Sequence, residues 1–334
     1  MTDLPLAIQH ERFDSQGALL YQPNAHDWMM GWLGYIALAN LTPNAVQTVT
    51  SCTYGLRLLN GSNSTIYGLA FLIGTMLLNF TVIGTDGGLI ERPAIVTEAL
   101  LAPCERLDML FDAEQAQIGG DIFLKSLAFD VMENERMGGN MSEKSGMGSM
   151  MGDMSATRLP MDMVFNILKL LVITGDRVTP VMPTALSQVK AISIASTTER
   201  KSELSMQYMR FLINGRSFGM NQIAFDGRRG ATEIWSISNA AVGMPHPMHL
   251  HGFSFQMLQR LNSPPQVAGT AGFGNRRAVT DLGWKDTVLV WPGETVPIAI
   301  DFAHDFPGSQ TYLFHCHNLE HEDGGMMSNF RVQA

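Results

Sequence analysis

The stretch TYLFHCHNLEHEDGGMM, residues 311–327, begins as a β-strand pattern and ends as a dense group of metal ligands. Its first seven residues favour a strand, and six similar runs occur earlier, separated by clusters of Gly, Pro, Asn or Asp. These runs are residues 53–60, 76–84, 164–173, 232–239, 287–291 and 295–302. Because no helical period is sustained, the sequence predicts an all-β protein built from antiparallel sandwiches.

The length of 334 residues allows two domains of about 150 residues each. We expect residues 1–175 to form the first domain and residues 204–334 to form the second. The run at 164–173 is predicted to be the last strand of the first domain. Residues 176–203 are rich in Pro, Ser and Thr and lack periodicity, so we expect them to be the linker.

Charge and cysteine content exclude several classes of protein. The chain has 22 Lys and Arg against 31 Asp and Glu, a net charge of -9, and no basic run for a nucleic-acid partner. Three cysteines, Cys52, Cys104 and Cys316, cannot form a disulfide framework. The N-terminal MTDLPLAIQH lacks the basic and apolar regions of a secretory signal, so no signal peptide is expected in this chain.

One uncharged run, residues 66–84, is long enough to span a bilayer. Gly74, Thr75 and Asn79 interrupt this run, and the turn signal TDGG follows it at 85–88. We therefore predict two buried strands here and expect no membrane span.

Seven of the nine histidines lie beyond residue 240, and six of them fall in HPMHLHG (246–252) and HCHNLEHEDGGMM (315–327). A soft thiolate, two imidazoles and a weak thioether are the ligands of a trigonal blue-copper site. Cys316, His321 and Met326 have the spacing C-x4-H-x4-M, which is short enough to wrap one metal. The pattern predicts a mononuclear copper site, with His246 supplying the second imidazole from a neighbouring strand.

The H-x-H pairs predict a second kind of site. In a strand, residues two apart point to the same face, so His249 with His251, and His315 with His317, can each present two imidazoles to one side. Cys316 would then point to the opposite face of its strand. One strand would thus carry a thiolate-bound copper on one side and imidazole-bound copper on the other.

Zinc is the main rival metal, but closed zinc sites usually use paired cysteines or a Cys/His quartet rather than one Cys, a Met and two H-x-H pairs. Copper is therefore the expected cofactor. We expect the GWKDT residues, 283–287, to pack and brace the copper-bearing strands. Three isolated histidines are expected to be ordinary core or surface residues: His10, His26 and His304.

On these motifs the chain resembles the multicopper oxidases, the group of laccases and cuprous oxidases built from cupredoxin domains. The segment DLGWKDTVLVWPGE (281–294) also resembles the last domain of that family. The first half resembles its middle domain through LRLLNGSN (56–63), TDGGLI (85–90) and APCERLDMLFD (102–112). The resemblance implies two cupredoxin-like, Greek-key β-sandwich or barrel domains, of which only the second binds copper.

The resemblance also implies a role for each residue of the two patches. Type 1 copper would be held by His246, Cys316, His321 and Met326. Type 2 copper would be held by His249, and type 3 copper by His251, His315 and His317. A reducing substrate would deliver electrons through His246 or His321. Glu322 matches a position that helps deliver protons to oxygen, with a solvated loop acid as the alternative interpretation.

One departure from the family pattern concerns the trinuclear cluster of type 2 and type 3 copper. That cluster needs eight imidazoles, and this chain offers four. The segment LPLAIQHERF (4–13) stands where the middle domain would begin, so the first domain is expected to be absent. Two ways to complete the cluster stay open: an isologous homodimer, in which two chains supply four histidines each, or a partner that bears the missing domain.

Residues 132–163 contain nine of the 23 methionines among Gly, Ser, Asp and Asn. This composition predicts a mobile insertion in the first domain. It is similar to the methionine-rich segments of copper-tolerance members of the family, where thioethers gather Cu(I). A flexible linker with incidental methionines is the alternative.

Two functions follow from these expectations. The first is an oxidase that takes single electrons from phenols, aromatic amines or Cu(I) at type 1 copper and passes them to dioxygen. The second is a copper-binding or electron-transfer module without oxidase activity, which the missing imidazoles favour. The resemblance implies a periplasmic or secreted location for either.

Overall fold

The computed structural model describes residues 2–133, 159–175, 180–194, 197–240 and 243–334. The strands of the first half are β1 (Thr2–Phe13), β2 (Leu19–Leu20), β3 (Ile36–Ala39), β4 (Thr42–Pro43), β5 (Ala45–Thr50), β6 (Thr53–Asn60), β7 (Tyr67–Ile73), β8 (Met76–Leu78), β9 (Phe80–Thr85), β10 (Gly88–Val96), β11 (Ala99–Leu101), β12 (Arg106–Asp112), β13 (Asp121–Ser126) and β14 (Phe165–Ile173). Those of the second half are β15 (Thr198–Gln207), β16 (Arg210–Ile213), β17 (Ile223–Arg228), β18 (Thr232–Asn239), β19 (His246–Leu250), β20 (Phe255–Met257), β21 (Thr287–Val290), β22 (Thr295–Asp301), β23 (Gln310–Cys316) and β24 (Met327–Gln333). Short helices are α1 (Ala25–Met30), α2 (Pro265–Thr270) and α3 (Leu319–Asp323).

The strands form two sandwiches, which confirms the predicted all-β class. In the first, the sheet β10-β9-β12-β6-β1-β3-β4 packs on the sheet β11-β7-β13-β14-β5. In the second, β16-β15-β18-β22-β20 packs on β17-β24-β23-β19-β21. Each sandwich has its own apolar core, because alternating side chains of facing sheets meet between them.

The sequence alone predicted antiparallel sandwiches, but some of the strand pairs are parallel. Each sandwich contains two parallel pairs, β1 with β6 and β5 with β14, then β15 with β18 and β17 with β24. Parallel neighbours arise because the chain crosses to the other sheet and back between them.

Three boundaries from the sequence can be compared with the strands. Strand β14 occupies 165–173, within the run expected to close the first domain. Strand β15 begins at Thr198, inside the range expected to be linker. Most of the Met-rich segment, residues 134–158, lies outside the described residues, although Met161 at its end is buried between the two sandwiches.

The uncharged run at 66–84 forms strands rather than a helix. It supplies β7, β8 and most of β9, and Leu69, Phe71 and Val82 within it belong to the first core. Among the described residues, no helix is long and apolar enough to cross a membrane.

Candidate metal centre

The register between β19 and β23 brings the two histidine patches together. Met248 lies opposite Cys316, and His249 lies opposite His315. Since neighbouring residues of a strand point to opposite faces, His315 faces His249 and His251 while Cys316 faces the core of the sandwich. Two groups of ligands result, one on each side of β23.

The first group, which we call the buried triangle, consists of His246, Cys316 and His321. The Nδ1 atoms of the two histidines lie 3.1 Å apart, and the Cys316 Sγ lies 3.6 Å from His246 Nδ1 and 3.9 Å from His321 Nδ1. All three residues are buried, with exposures of 5%, 0% and 0%. One sulfur and two nitrogens therefore face a single enclosed point.

Hydrogen bonds fix which nitrogen of His321 faces that point. Its Nε2 lies 3.0 Å from the backbone carbonyl oxygen of Met29, in α1. A carbonyl only accepts, so Nε2 carries the proton and Nδ1 keeps its lone pair for a metal. The imidazole also stacks on Phe211, with ring centroids 4.1 Å apart. Cys316, the third residue of the triangle, accepts a hydrogen bond at its Sγ from the Asn318 N–H at 3.4 Å.

Burial sets the protonation states of the triangle when no metal is bound. It lowers the pKa of His321 to about 4 and, together with His321, holds the pKa of His246 well below its ordinary value. Burial likewise raises the pKa of the Cys316 thiol. Both imidazoles are thus neutral ligands at physiological pH, and a metal must displace the thiol proton to bind.

Met326 lies at the end of the same loop and is fully buried in the second core. Its backbone ties the loop to the triangle, since Met326 N–H donates to the His321 carbonyl at 2.9 Å and the Met326 carbonyl accepts from Cys316 N–H at 3.0 Å. The spacing from Cys316 to Met326 therefore closes a compact loop around the triangle.

The second group, the histidine face, consists of His249, His251, His315 and His317. The Nε2 atoms of His251 and His315 lie 2.9 Å apart. His317 lies beside them, with ring centroids 5.5 Å from His315 and 5.9 Å from His249. Unlike the triangle, this group reaches the surface, because His251 is exposed.

Acceptors again orient the rings of the histidine face. His249 Nδ1 lies 3.0 Å from the Asp286 carbonyl oxygen and 3.0 Å from Thr287 Oγ1. His315 Nδ1 lies 3.0 Å from the Cys316 carbonyl oxygen. With their Nδ1 atoms engaged in this way, these rings offer Nε2 to a metal.

Glu322 contacts the histidine face directly. Its Oε2 lies 3.2 Å from His315 Nδ1. Burial alone would raise the pKa of this carboxyl, but the hydrogen bond to His315 and the neighbouring imidazoles outweigh it and hold the pKa below its ordinary value. The carboxylate is therefore ionised at neutral pH and is placed to accept a proton beside the ligands.

The predicted bracing role of the GWKDT residues is visible as an ion network between the sandwiches. The Lys285 ammonium is 0% exposed and lies 2.7 Å from Asp86 and 2.9 Å from Glu105, both in the first sandwich. The guanidinium of Arg106 pairs with Asp286 at 2.5 Å. Because the Asp286 carbonyl accepts from His249, this network reaches the histidine face.

Sequence reasoning missed Glu320, which is fully buried beside His321. Its carboxylate accepts hydrogen bonds from Tyr21 Oη at 3.1 Å, Asn63 Nδ2 at 3.1 Å and Trp32 N at 2.7 Å. These donors belong to the first sandwich, between 257 and 299 residues away in the chain. The only signal of this contact in the local sequence was the position of a glutamate between two predicted copper ligands, Cys316 and His321.

Comparisons with known proteins agree with this geometry. Residues 183–334 match the profile of the multicopper oxidase family. The chain is 36% identical to the multicopper oxidase McoA of Aquifex aeolicus, with a TM-score of 0.82 over 99% of this chain and 66% of that one. The chain belongs to the multicopper oxidase family.

Two curated relatives show how much of a family member the chain spans. It is 28% identical to the bilirubin oxidase of Albifimbria verrucaria over 99% of this chain and 53% of that protein. It is also 28% identical to the laccase of Bacillus subtilis over 97% of this chain and 61% of that protein. The chain thus spans between half and two thirds of the length of these relatives.

The buried triangle fits the copper that this family binds. Its three donor atoms lie within 4.8 Å of one another. A thiolate with two imidazoles is a soft donor set that suits copper better than hard cations such as Mg²⁺ or Ca²⁺. The expected cofactor is therefore supported by the chemistry of the donors themselves.

Proposed function

We propose that the chain is the copper-bearing part of a laccase-like oxidoreductase. It oxidises phenols, aromatic amines or Cu(I) by single electrons at a type 1 site formed by His246, Cys316, His321 and Met326. Where further imidazoles complete a trinuclear cluster on the histidine face, those electrons reduce dioxygen. The observation that carries the proposal is the placement of adjacent residues, Cys316 and His315, in two different ligand groups.

The protein's own residues have separable roles in this proposal. Copper supplies one-electron redox chemistry when bound. His321 and His246 present Nδ1 lone pairs, Asn318 donates a hydrogen bond to the Cys316 sulfur, and the apolar core excludes water from the triangle. The short covalent path from Cys316 to His315 connects the two ligand groups.

On the histidine face, we propose that His249 binds type 2 copper and that His251, His315 and His317 bind type 3 copper. Glu322 accepts and returns protons at its Oε2 atom, 3.2 Å from His315. Its ionised state and half-buried position support this role.

Copper analysis tests the proposal. Protein is loaded with Cu(II), washed with a mild chelator to clear thioether-bound metal, and analysed for copper per chain. About one copper per chain, with the intense visible absorption of a copper thiolate, means that only the type 1 site forms, which supports the alternative electron-transfer function. About 2.5 per chain, from two type 1 coppers and three shared ions in a dimer, supports a cluster between two chains.

The partner and location belong to the same proposal. Either a second copy or another cupredoxin domain supplies the further imidazoles of the cluster. Sedimentation that shows only monomer in the copper-loaded state would exclude the homodimer. A periplasmic or secreted location is tested by fractionating cells that express the full gene.

A further inference from the structure

A groove of about 780 Å³ lies on the second sandwich beside the ligand loop. This volume is in the range of small-molecule sites, roughly 300–1,000 Å³. Two cationic, two polar and two apolar residues line it: Arg210, Arg216, Ser217, Gln222, Phe218 and Ile223.

Arg210 is the first residue of the short edge strand β16, and Arg216 lies just after the turn that follows this strand. A tight turn precedes the strand, with Tyr208 and Met209 both at positive φ. The Asn214–Gly215 turn follows it, also with φ above zero at both residues, as the sequence Asn-Gly favours. The two guanidinium groups therefore project from defined points on the rim of the groove.

The charge of the groove is opposite to that of the protein. The chain carries a net charge of -9, yet among the residues that the structure describes no Asp or Glu lines the groove. Across the described ranges, no carboxylate lies within ion-pairing distance of Arg210 or Arg216, whereas other arginines such as Arg12 and Arg260 are paired. Two arginines without a carboxylate partner on one rim are suited to bind an anion, especially a planar carboxylate.

The groove is joined to the buried triangle by direct contacts. Phe211, next to Arg210, stacks on the imidazole of His321. The N–H of Phe218 donates to the Gly325 carbonyl at 3.0 Å, and Gly325 precedes Met326. A molecule in the groove is thus separated from the triangle by one layer of side chains and by the ligand loop itself.

We propose that this groove binds an aromatic carboxylate as the reducing substrate. Arg210 and Arg216 hold its carboxylate, while Phe218 and Ile223 contact its ring. This inference rests on the proposed function, because it names the substrate class of that site. His246, Cys316 and His321 would hold the copper that serves as oxidant: a phenol with a ring carboxylate would give one electron to Cu(II) and its hydroxyl proton to water, and would leave as a phenoxyl radical.

Binding is tested first, without any redox step. The probe is 3,5-dimethoxybenzoate, which has no phenol to oxidise, and the neutral control is 3,5-dimethoxybenzamide, both titrated calorimetrically into the metal-free chain. We expect the benzoate to bind more tightly than the amide. Arg210→Gln with Arg216→Gln should weaken benzoate binding about tenfold or more and leave amide binding unchanged. Arg92→Gln, an exposed arginine of β10, is the matched control.

Equal binding of the two probes, or unchanged benzoate affinity in the double variant, would overturn the proposal. Circular dichroism of the double variant confirms that it is folded, and both positions are exposed. Because this arm uses metal-free protein, its outcome does not depend on whether the type 1 site or an oxidase activity exists.

Electron delivery is tested next, in the absence of oxygen. The bleaching of the copper-thiolate absorption is followed after mixing with 4-hydroxy-3,5-dimethoxybenzoate or with the neutral 2,6-dimethoxyphenol. In the double variant, the rate at low substrate should fall about tenfold for the carboxylate only. An equal fall for both substrates, or none for the carboxylate, would overturn the groove as the substrate site. No copper-thiolate absorption in any variant would instead refute the proposed function.

Discussion

The buried triangle and the histidine face share strand β23, yet they differ in burial and in the imidazole nitrogen that faces the other ligands. The triangle is enclosed, with exposures of 0–5%, and its two histidines face inward through Nδ1. The histidine face reaches the surface at His251, and His251 and His315 meet there through Nε2. The difference teaches that this chain encloses one site by itself, while it presents the other as a surface of imidazoles.

The two groups are also supported differently by the first sandwich. The triangle is held by hydrogen bonds to uncharged groups of the first half of the chain, chiefly the Met29 carbonyl on His321 and the donors to Glu320. The histidine face is held by the ion network that runs from Lys285 and Arg106 to Asp286. The predictions below test this contrast, from the largest expected effect to the smallest.

Replacing Cys316 by serine should abolish the copper-thiolate absorption and release copper from the triangle, because an alcohol oxygen is a poor ligand for copper beside two imidazoles. The comparison variant is His317→Ala on the histidine face. That variant should keep the absorption, since His317 takes no part in the triangle. Absorption that survives Cys316→Ser, or disappears in His317→Ala, would contradict the division into two groups.

Lys285→Met should destabilise the protein by about 3–5 kcal/mol, because Asp86 and Glu105 would be left buried without their cation. Urea unfolding measures the change. Arg57→Gln is the matched control: its pair with Asp3 is exposed and should contribute only about 0–1 kcal/mol. If both variants lost the same free energy of unfolding, the buried network would not be what joins the sandwiches.

His10 provides a buried histidine away from both ligand groups. Burial lowers its pKa to about 4, against about 6.5 in the unfolded chain. Between these values the unfolded chain binds the proton first, so the free energy of unfolding falls with decreasing pH, by about 3 kcal/mol in total. In copper-loaded protein, we measure the free energy of unfolding at a series of pH values below 6.5. His10→Gln should remove the part of its pH dependence that His10 contributes. An unchanged pH dependence would contradict this prediction.

Glu320→Gln should cost about 1–3 kcal/mol of stability, since a neutral amide cannot accept from Tyr21, Asn63 and Trp32 together. Because Glu320 neighbours His321, copper affinity of the triangle should also fall, by about tenfold or more. Competition with a chelator measures the affinity. Glu203→Gln, at an exposed position, is the control, and an equal effect there would show that the carboxylate does not hold the loop.

Much of the fold and the ligand set followed from the sequence. The strand pattern predicted the all-β class, and the period of two in HCH placed His315 and Cys316 on opposite faces of β23. The bounds were less secure, since β15 begins at Thr198 inside the expected linker. Parallel pairs such as β1 with β6 were missed, because local patterns do not show where the chain crosses between sheets.

The sequence by itself determined which residues are candidate copper ligands, because ligand type, loop spacing and strand alternation are local properties. Only the tertiary structure decided how those ligands are oriented and enclosed. Three contacts join residues roughly 200–300 positions apart. They are the hydrogen bonds between His321 and the Met29 carbonyl and between Tyr21 and Glu320, and the ion pair between Lys285 and Asp86. Such contacts depend on how two sandwiches dock, and docking is set by the summed packing of both surfaces rather than by any local pattern.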